Sequence, residues 1–360
     1  MTHDHTHYAA TVQTKRDEDR WELELRAEIA PEGLAQYRAT ALRELAKDAH
    51  IDGFRPGKAP EAMVLKHVGE AALLQQAAED AVKHELPELL AKEGANIVSA
   101  PQVVIETPGA GKAVGFVARA PLAPEIKLPD YKKIAADINK TKSEQTVSDT
   151  EHGEALTHLR RERARIDKLE QGAKPQEAAD YAKGITEADL PALDDEFAVS
   201  LGYDSAKAFE DALRVNIKNE KDLREAEKRR ASILDELVKK STIKYPAILR
   251  EYELEEMEAR LAGDLERMGT TLDKFLADSK KTKEDLHKEW MPGAENRAKV
   301  RLILGEIARQ EAIEPNQEQL AEEVERAKQH YKDADEHALR AHIQHAMRNE
   351  MVISWLEGQE

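Results

Sequence analysis

Residues 21–29 read Trp21-Glu22-Leu23-Glu24-Leu25-Arg26-Ala27-Glu28-Ile29, apolar and charged side chains in strict alternation. A period of two puts every apolar side chain on one face of an extended strand and every charge on the other, so a strand with one buried face is predicted here. Such a strand needs antiparallel neighbours and a layer to cover its apolar face. Tyr8, Ala10 and Val12 alternate with smaller or polar residues and give a first strand with a buried face, joined through the charged turn 15–20. Val103 and Ile105 mark a third strand, and Val114, Phe116 and Ala118 a fourth. Pro108-Gly109-Ala110-Gly111 turns between them.

Helical spacing fills the interval between the two strand pairs. Pro31 opens a first helix whose stripe, Leu34, Tyr37, Ala41 and Leu45, falls at intervals of three and four. A short helix is predicted from Pro60, at the first helical position, to about Val68, with Gly69 as its stop. A longer one covers roughly Glu70 to Glu93, with Pro87 expected to kink or break it and Gly94 to end it. The order strand, strand, helices, strand, strand defines an α+β domain, an antiparallel sheet with helices on one face.

Between the first two helices lies Ile51-Asp52-Gly53-Phe54-Arg55-Pro56-Gly57-Lys58-Ala59-Pro60. Residues 55–58 read as a type II turn: Pro56 pre-sets the first central position and Gly57 supplies the positive φ of the second. The tip carries Phe54, Arg55 and Lys58, an aromatic with two cations, suited to a flat, partly apolar, negative surface. The same residues also suit an ordinary helix–helix turn with solvated charges.

The string Gly53-Phe54-Arg55-Pro56-Gly57-Lys58-Ala59-Pro60 resembles the ribosome-docking signature G-F-R-x-G-K-x-P of the bacterial trigger factor family of chaperones. The position after the arginine is lysine in some members and Pro56 here, one cation fewer at the tip. The resemblance implies that Gly53, Phe54, Arg55, Pro56, Gly57 and Lys58 bind a ribosomal protein beside the polypeptide exit tunnel, with adjacent rRNA as a further contact. The element order of residues 1–128 is similar to the family's ribosome-binding domain.

Composition narrows the alternatives. A chain of 360 residues has room for two or more domains, and 35% charged against 4% aromatic residues points to long, solvated helices rather than a dense enzyme core. With no cysteine, disulfide and thiolate chemistry are excluded and a reducing cytosol is permitted. No apolar run is long enough to span a membrane, and the polar start, residues 1–7, lacks a signal-peptide core, so neither a membrane partner nor secretion by that route is expected. The net charge is −17: residues 1–145 hold 19 Lys and Arg against 23 Asp and Glu, net −4, and the remainder 35 against 48, net −13. Acidity of that size argues against general nucleic-acid binding but leaves room for one local basic loop.

Residues 128–145 carry proline and paired lysines with little periodicity and read as an extended linker. Ser148-Asp149-Thr150-Glu151 is a capping-box pattern that starts a helix to about Gln171, striped by Leu156, Leu159, Ile166 and Leu169. Arg160, Arg161, Arg163 and Arg165 cover its other faces; interleaved Glu162, Asp167 and Glu170 favour a solvated helix over a nucleic-acid helix. In the family the chain usually leaves this helix for a prolyl-isomerase domain of the FK506-binding type and returns at a segment like residues 190–197. Here residues 172–190 alone lie between, without alternating strands and with Tyr181 as the single aromatic. A segment below about 40 residues cannot build its own core without staples. Residues 129–190 are therefore read as an extended and helical linker where the isomerase would be inserted, and no enzyme activity is expected.

From Ser205 onward every periodic segment is helical. Phe209, Leu213 and Ile217 open a helix that Ile233, Leu234, Leu237 and Val238 close near Lys240, with only Leu223 amid charge between them, which suggests an arm reaching into solvent. Pro246 opens the next, with Tyr252, Met257, Leu261 and Leu265 among its apolar positions; Leu272, Phe275 and Leu276 form a short one. A helix starting at Thr282 is expected to break at Pro292-Gly293, and residues 300–307, nearly apolar all round, are placed at the centre of the helical domain. Pro315 opens another helix, and a last one runs from Ala338 to Leu356. Residues 191–360 resemble the family's all-α chaperone domain with helical arms. Two thinly apolar arms would enclose a cradle whose scattered Met and Leu side chains hold unfolded segments of many sequences, so no single client contact is nominated.

Other candidate sites are set aside. His3, His5 and His7 belong to a polar terminus where nothing fixes a coordination geometry. His342 and His345 share a helix face, with His337 and His330 nearby, but without thiolates they read as surface or lightly buried histidines. Gly109-Ala110-Gly111-Lys112 lacks the length and the Ser or Thr of a phosphate loop. No nucleophile–base signature, nucleotide motif, metal or cofactor site is evident. The resulting expectation is an ATP-independent chaperone, cytoplasmic and partly ribosome-associated. It shelters nascent or unfolded polypeptides, aids folding and export, and forms a homodimer off the ribosome. The alternative is a ribosome-bound structural or assembly factor whose helical domain binds one folded partner.

Overall fold

The computed structural model describes residues 9–51, 54–55, 57–331 and 335–360. His3, His5, His7 and Tyr8 lie outside them. Strands β1 (Ala9–Asp17), β2 (Glu22–Ile29), β3 (Gln102–Ile105) and β4 (Val114–Pro121) make one antiparallel sheet in the order β1-β2-β4-β3. Trp21, Leu23, Leu25, Ala27 and Ile29 are all buried, as the alternation requires. Register places Leu25 opposite Ala118, Ala27 opposite Phe116 and Ile29 opposite Val114, so both central strands turn their apolar side chains to one face. On the other face Arg119 donates to Glu24 across the strands at 3.2 Å.

β1 departs from expectation: Ala10 and Val12 are exposed. Ala10 pairs with Glu28 but Gln13 with Arg26, leaving two residues opposite Ala27, and Thr11 sits at φ 54°. One extra residue inverts the alternation beyond it.

Three helices follow β2: α1 (Pro31–Asp48), α2 (Glu61–Val68) and α3 (Glu70–Lys92). Pro60 is the N-cap of α2, one position earlier than expected. α3 lays Ala78, Val82, Leu86 and Leu89 on the apolar face of the sheet, with Leu34 of α1 beside them. Ala41 packs against Leu73 and Ala77, and the two alanines let α1 and α3 approach closely. α3 continues through Pro87. The lost backbone bond is offset by burial of Leu86, Leu89 and Leu90 on either side of it.

The extended reading of residues 128–145 is corrected. After a short strand β5 (Glu125–Lys127), helix α4 (Tyr131–Asn139) is capped by Asp130, whose carboxylate accepts from the Lys133 N–H at 3.1 Å. Tyr131, Ile134 and Ala135 are buried at helical spacing. The Tyr131 hydroxyl donates to Glu311 at 2.6 Å, and the Asn139 amide donates to the carbonyls of Leu356 and Gln359.

Helix α5 (Asp149–Glu170) begins with both bonds of the expected capping box. Residues 172–190 form helix α6 (Pro175–Gly184) and a 3-10 turn (Glu187–Asp189); α6 packs on α5, with Ala178 and Ala182 buried. Two of the arginines expected to be solvated are structural instead. Arg160 donates to the carbonyls of Leu190 at 2.7 Å and Pro191 at 2.9 Å, and Arg161 to those of Ala182 at 3.0 Å and Lys183 at 2.9 Å. The last carbonyls of a helix have no partner within it, and a guanidinium supplies the missing donors.

A short helix α7 (Asp195–Ser200) leads to α8 (Ala206–Lys240), a single helix of 35 residues with no buried side chain between Phe209 and Ile233. Charge rather than an apolar stripe engages its middle: Arg214 pairs with Asp149 at 2.9 Å, Lys221 with Glu151 at 2.7 Å, and Arg230 with Glu350 and Glu357. Lys221, with the Ser148 backbone and hydroxyl, lowers the Glu151 carboxyl to about 2. A depressed carboxyl stabilises fully above its unfolded range and loses that contribution as pH falls through the folded value. An NMR titration of Glu151 should therefore find its midpoint near pH 2; an ordinary glutamate midpoint would mean that Lys221 does not hold this contact in solution.

Strand β6 (Thr242–Lys244) pairs with β5, a short departure from the helical reading beyond Ser205. Helices α9 (Ala247–Arg267), α10 (Leu272–Ser279), α11 (Lys283–Glu311), α12 (Gln317–Lys328) and α13 (Glu336–Glu357) complete the chain. α11 runs unbroken through Pro292-Gly293, with Leu286 and Ala294 buried on either side. Ile303, Leu304 and Ile307 are buried, and Glu253 of α9 is buried against Arg297 and Arg301 of α11. The chain divides into two compact units, one of Met1–Leu128 with Lys240–Gln310 and one of Pro129–Lys239 with Glu311–Glu360.

Candidate functional site

The loop from α1 to α2 is pinned through its backbone. α1 ends with carbonyls that lack helical partners. The Ala49 N–H takes that of Leu45 at 3.0 Å, and the Gly57 N–H reaches back to that of Ala46 at 2.8 Å. The Phe54 N–H donates to Ile51 at 3.1 Å, and the Lys58 N–H donates to Arg55 at 3.0 Å, the i to i+3 bond of a β-turn. Gly57 has φ 76°, as the second central position of a type II turn requires. Gly53 and Pro56 lie outside the described residues.

Phe54 is 39% exposed, and Arg55, Gly57 and Lys58 are exposed. The chain holds 71 acidic residues, yet among the described residues neither Arg55 nor Lys58 has an ion-pair partner. Among the described residues, neither cation would have to break an internal pair to meet an external anion. The arrangement presents an aromatic face and two charges that no described residue pairs.

Ala46 is part of this site and is not recognisable in the sequence, since it contributes only a backbone carbonyl. A Cβ at position 57 would stand 3.9 Å from the Lys47 Cα, an ordinary contact. The strain of substituting Gly57 is therefore dihedral, about 1 kcal/mol for alanine. Gly57→Ala should weaken the bond to Ala46 and speed amide exchange at position 57 about fivefold. Unchanged exchange would mean that the turn does not depend on glycine.

Among the described residues, the other nominated side chains form no second site. The Lys112 N–H donates to Gly109 at 3.2 Å, and this turn lies in the β3–β4 connection. His330, His337 and His342 are exposed, and the His345 Nδ1 lies 3.3 Å from the Asn349 amide nitrogen. Among the described residues no group of three or more His, Asp or Glu side chains is placed to hold a metal ion, and no helix is long and apolar enough to cross a membrane. Val215, Leu223, Tyr252 and Met268 are exposed. Single exposed apolar side chains are ordinary on any protein and mark no particular contact.

Comparison with known proteins agrees with this architecture. Residues 10–159 match the family model described as bacterial trigger factor protein, and residues 205–356 match that of the trigger factor C-terminus. The trigger factor of Ligilactobacillus salivarius is 26% identical, with 89% of each chain covered. Those of Caldicellulosiruptor bescii and Thermus thermophilus are each 25% identical, covering 86% and 82% of this chain and 85% of their own. A solved structure described as "Promiscuous Substrate Recognition in Folding and Assembly Activities of the Trigger Factor Chaperone" aligns at a TM-score of 0.49 and 16% identity, covering 96% of this chain and 99% of its own. The two family matches together take in most of the chain and define a ribosome-associated chaperone. The chain belongs to the bacterial trigger factor family.

Proposed function

We propose that this chain docks beside the ribosomal exit tunnel through residues 53–58 and shelters emerging polypeptides without an isomerase step. The observation that carries this reading is the backbone-pinned turn with Phe54, Arg55 and Lys58 exposed and both cations unpaired among the described residues. Phe54 supplies apolar contact, Arg55 and Lys58 complement acidic side chains of a ribosomal protein or nearby rRNA phosphates, and Gly53, Pro56 and Gly57 shape the loop. Residues 1–128 act as the ribosome-binding domain, 129–190 as the linker and 191–360 as the client-holding domain. The helix pair α5–α6 occupies the place where the family's isomerase would be inserted, so proline-limited refolding should not be accelerated. Docking on the ribosome places the chain in the cytoplasm, and two free copies are proposed to pair away from it.

Co-sedimentation with bacterial ribosomes, wild type beside the double variant Phe54→Ala/Arg55→Ala, tests the reading. Loss of the variant from the ribosome pellet is expected. Equal recovery of both proteins in the pellet would make the loop a structural turn, and recovery of neither would make the chain a free holdase.

A further inference from the structure

The two edges of the sheet are built differently. β1 is protected in the ways edge strands usually are: it is bulged at residues 11 and 12, and it carries Lys15, Arg16 and Asp17. β3, at the other edge, reads Gln-Val-Val-Ile, with no charge, bulge or proline. The Glu106 N–H donates to the Gly115 carbonyl, which sets the phase of the β3–β4 ladder. Val104, paired with Val117, bonds inward. The N–H and C=O groups of Val103 and Ile105 point off the sheet, and among the described residues nothing bonds to them there.

A groove of about 450 Å³ runs along this edge between β3 and α3. Its apolar floor is Val82 and Leu86 of α3 with Val103 and Ile105 of β3, and Glu79 and Lys83 stand beside it. One acid and one base leave the groove with no net charge, so it suits an uncharged segment. A free strand edge beside a helix, with an apolar floor, is the arrangement in which an extended peptide adds a strand: backbone bonds hold it, and pockets take alternate side chains.

We propose that β3 accepts an extended, uncharged segment of unfolded polypeptide as an added strand, its apolar side chains at alternate positions filling the groove. This names a client site on the same domain as the docking loop and rests on the chaperone reading above. Docking and client capture are separable, because the loop and β3 share no residue.

The probe is a fluorescein-labelled peptide of alternating valine and threonine with lysine ends, titrated with the full chain and read by anisotropy. Its partner probe carries N-methyl groups on the central amides, which remove strand hydrogen bonds and keep the side chains. The wild-type chain should bind the N-methylated peptide at least about tenfold more weakly. Val103→Pro removes a donor that points off the sheet and spares the β4 ladder; it should weaken the unmodified peptide to a similar degree while leaving ribosome co-sedimentation intact. Equal binding of the two peptides by the wild-type chain, or no binding of either, would overturn the proposal even if Val103→Pro failed to fold. A concentration-dependent dimer of the free chain that Val103→Pro abolishes would assign the edge to a second copy and overturn it too. Docking retained in loop variants, with peptide binding unchanged, would overturn the loop assignment alone.

Discussion

Replacing Arg55 and Lys58 together by alanine is expected to lower ribosome affinity by about tenfold to a hundredfold. A hydrogen bond to a charged group is worth about 1.5–3 kcal/mol when its partner is desolvated, and less at an exposed rim, while each 1.4 kcal/mol is about tenfold. The loss should be largest at low salt, where exposed charges are least screened. Titration of ribosomes against labelled protein at several salt concentrations reads both the size and the nature of the contact. If the anions are rRNA phosphates, the double variant should flatten the dependence of log K on log salt by about one to two. If they are side chains of a ribosomal protein, affinity should fall with a smaller change of slope. Affinity within twofold of wild type at low salt would exclude these cations from the contact.

Phe116→Ala should be the most damaging single change to the sheet that supports the loop. Phe116 is 1% exposed and sits opposite Ala27 on β2 and Ile105 on β3. Truncating a buried phenylalanine costs about 3–5 kcal/mol, through lost transfer free energy and the cavity left behind. Ala27 and Ala118 are too small to fill that space, so a value in the upper part of the range is expected. Urea unfolding, followed by amide exchange in β2 and β4, should show that destabilisation. A loss below about 1 kcal/mol would mean that the helix layer collapses onto the gap.

The parts legible in the sequence are those whose cause is local. The run from Trp21 to Ile29 holds its own period, and Gly57 in a Pro-Gly turn announces its own φ. What failed were readings in which a local rule met a tertiary one. Pro292 does not break its helix, because buried Leu286 and Ala294 on either side hold the path. The bulge at Thr11 carries no residue-type signal, so β1 was read in the wrong phase. α4 lay hidden behind paired lysines, although Tyr131, Ile134 and Ala135 carry helical spacing and Asp130 is a proper cap. Arg160 and Arg161 were visible as charges but not as donors to the carbonyls of residues 182–191, since backbone acceptors leave no trace in composition. The same blindness hid Ala46 in the loop.

The claim that the loop is the docking element is tested most directly by placing a photo-crosslinking amino acid at position 54 and irradiating the protein with ribosomes. A principal adduct to one ribosomal protein at the exit tunnel, lost when Arg55→Ala and Lys58→Ala are added, is the expected result. Adducts spread over many ribosomal proteins, or none while the protein still co-sediments, would contradict it.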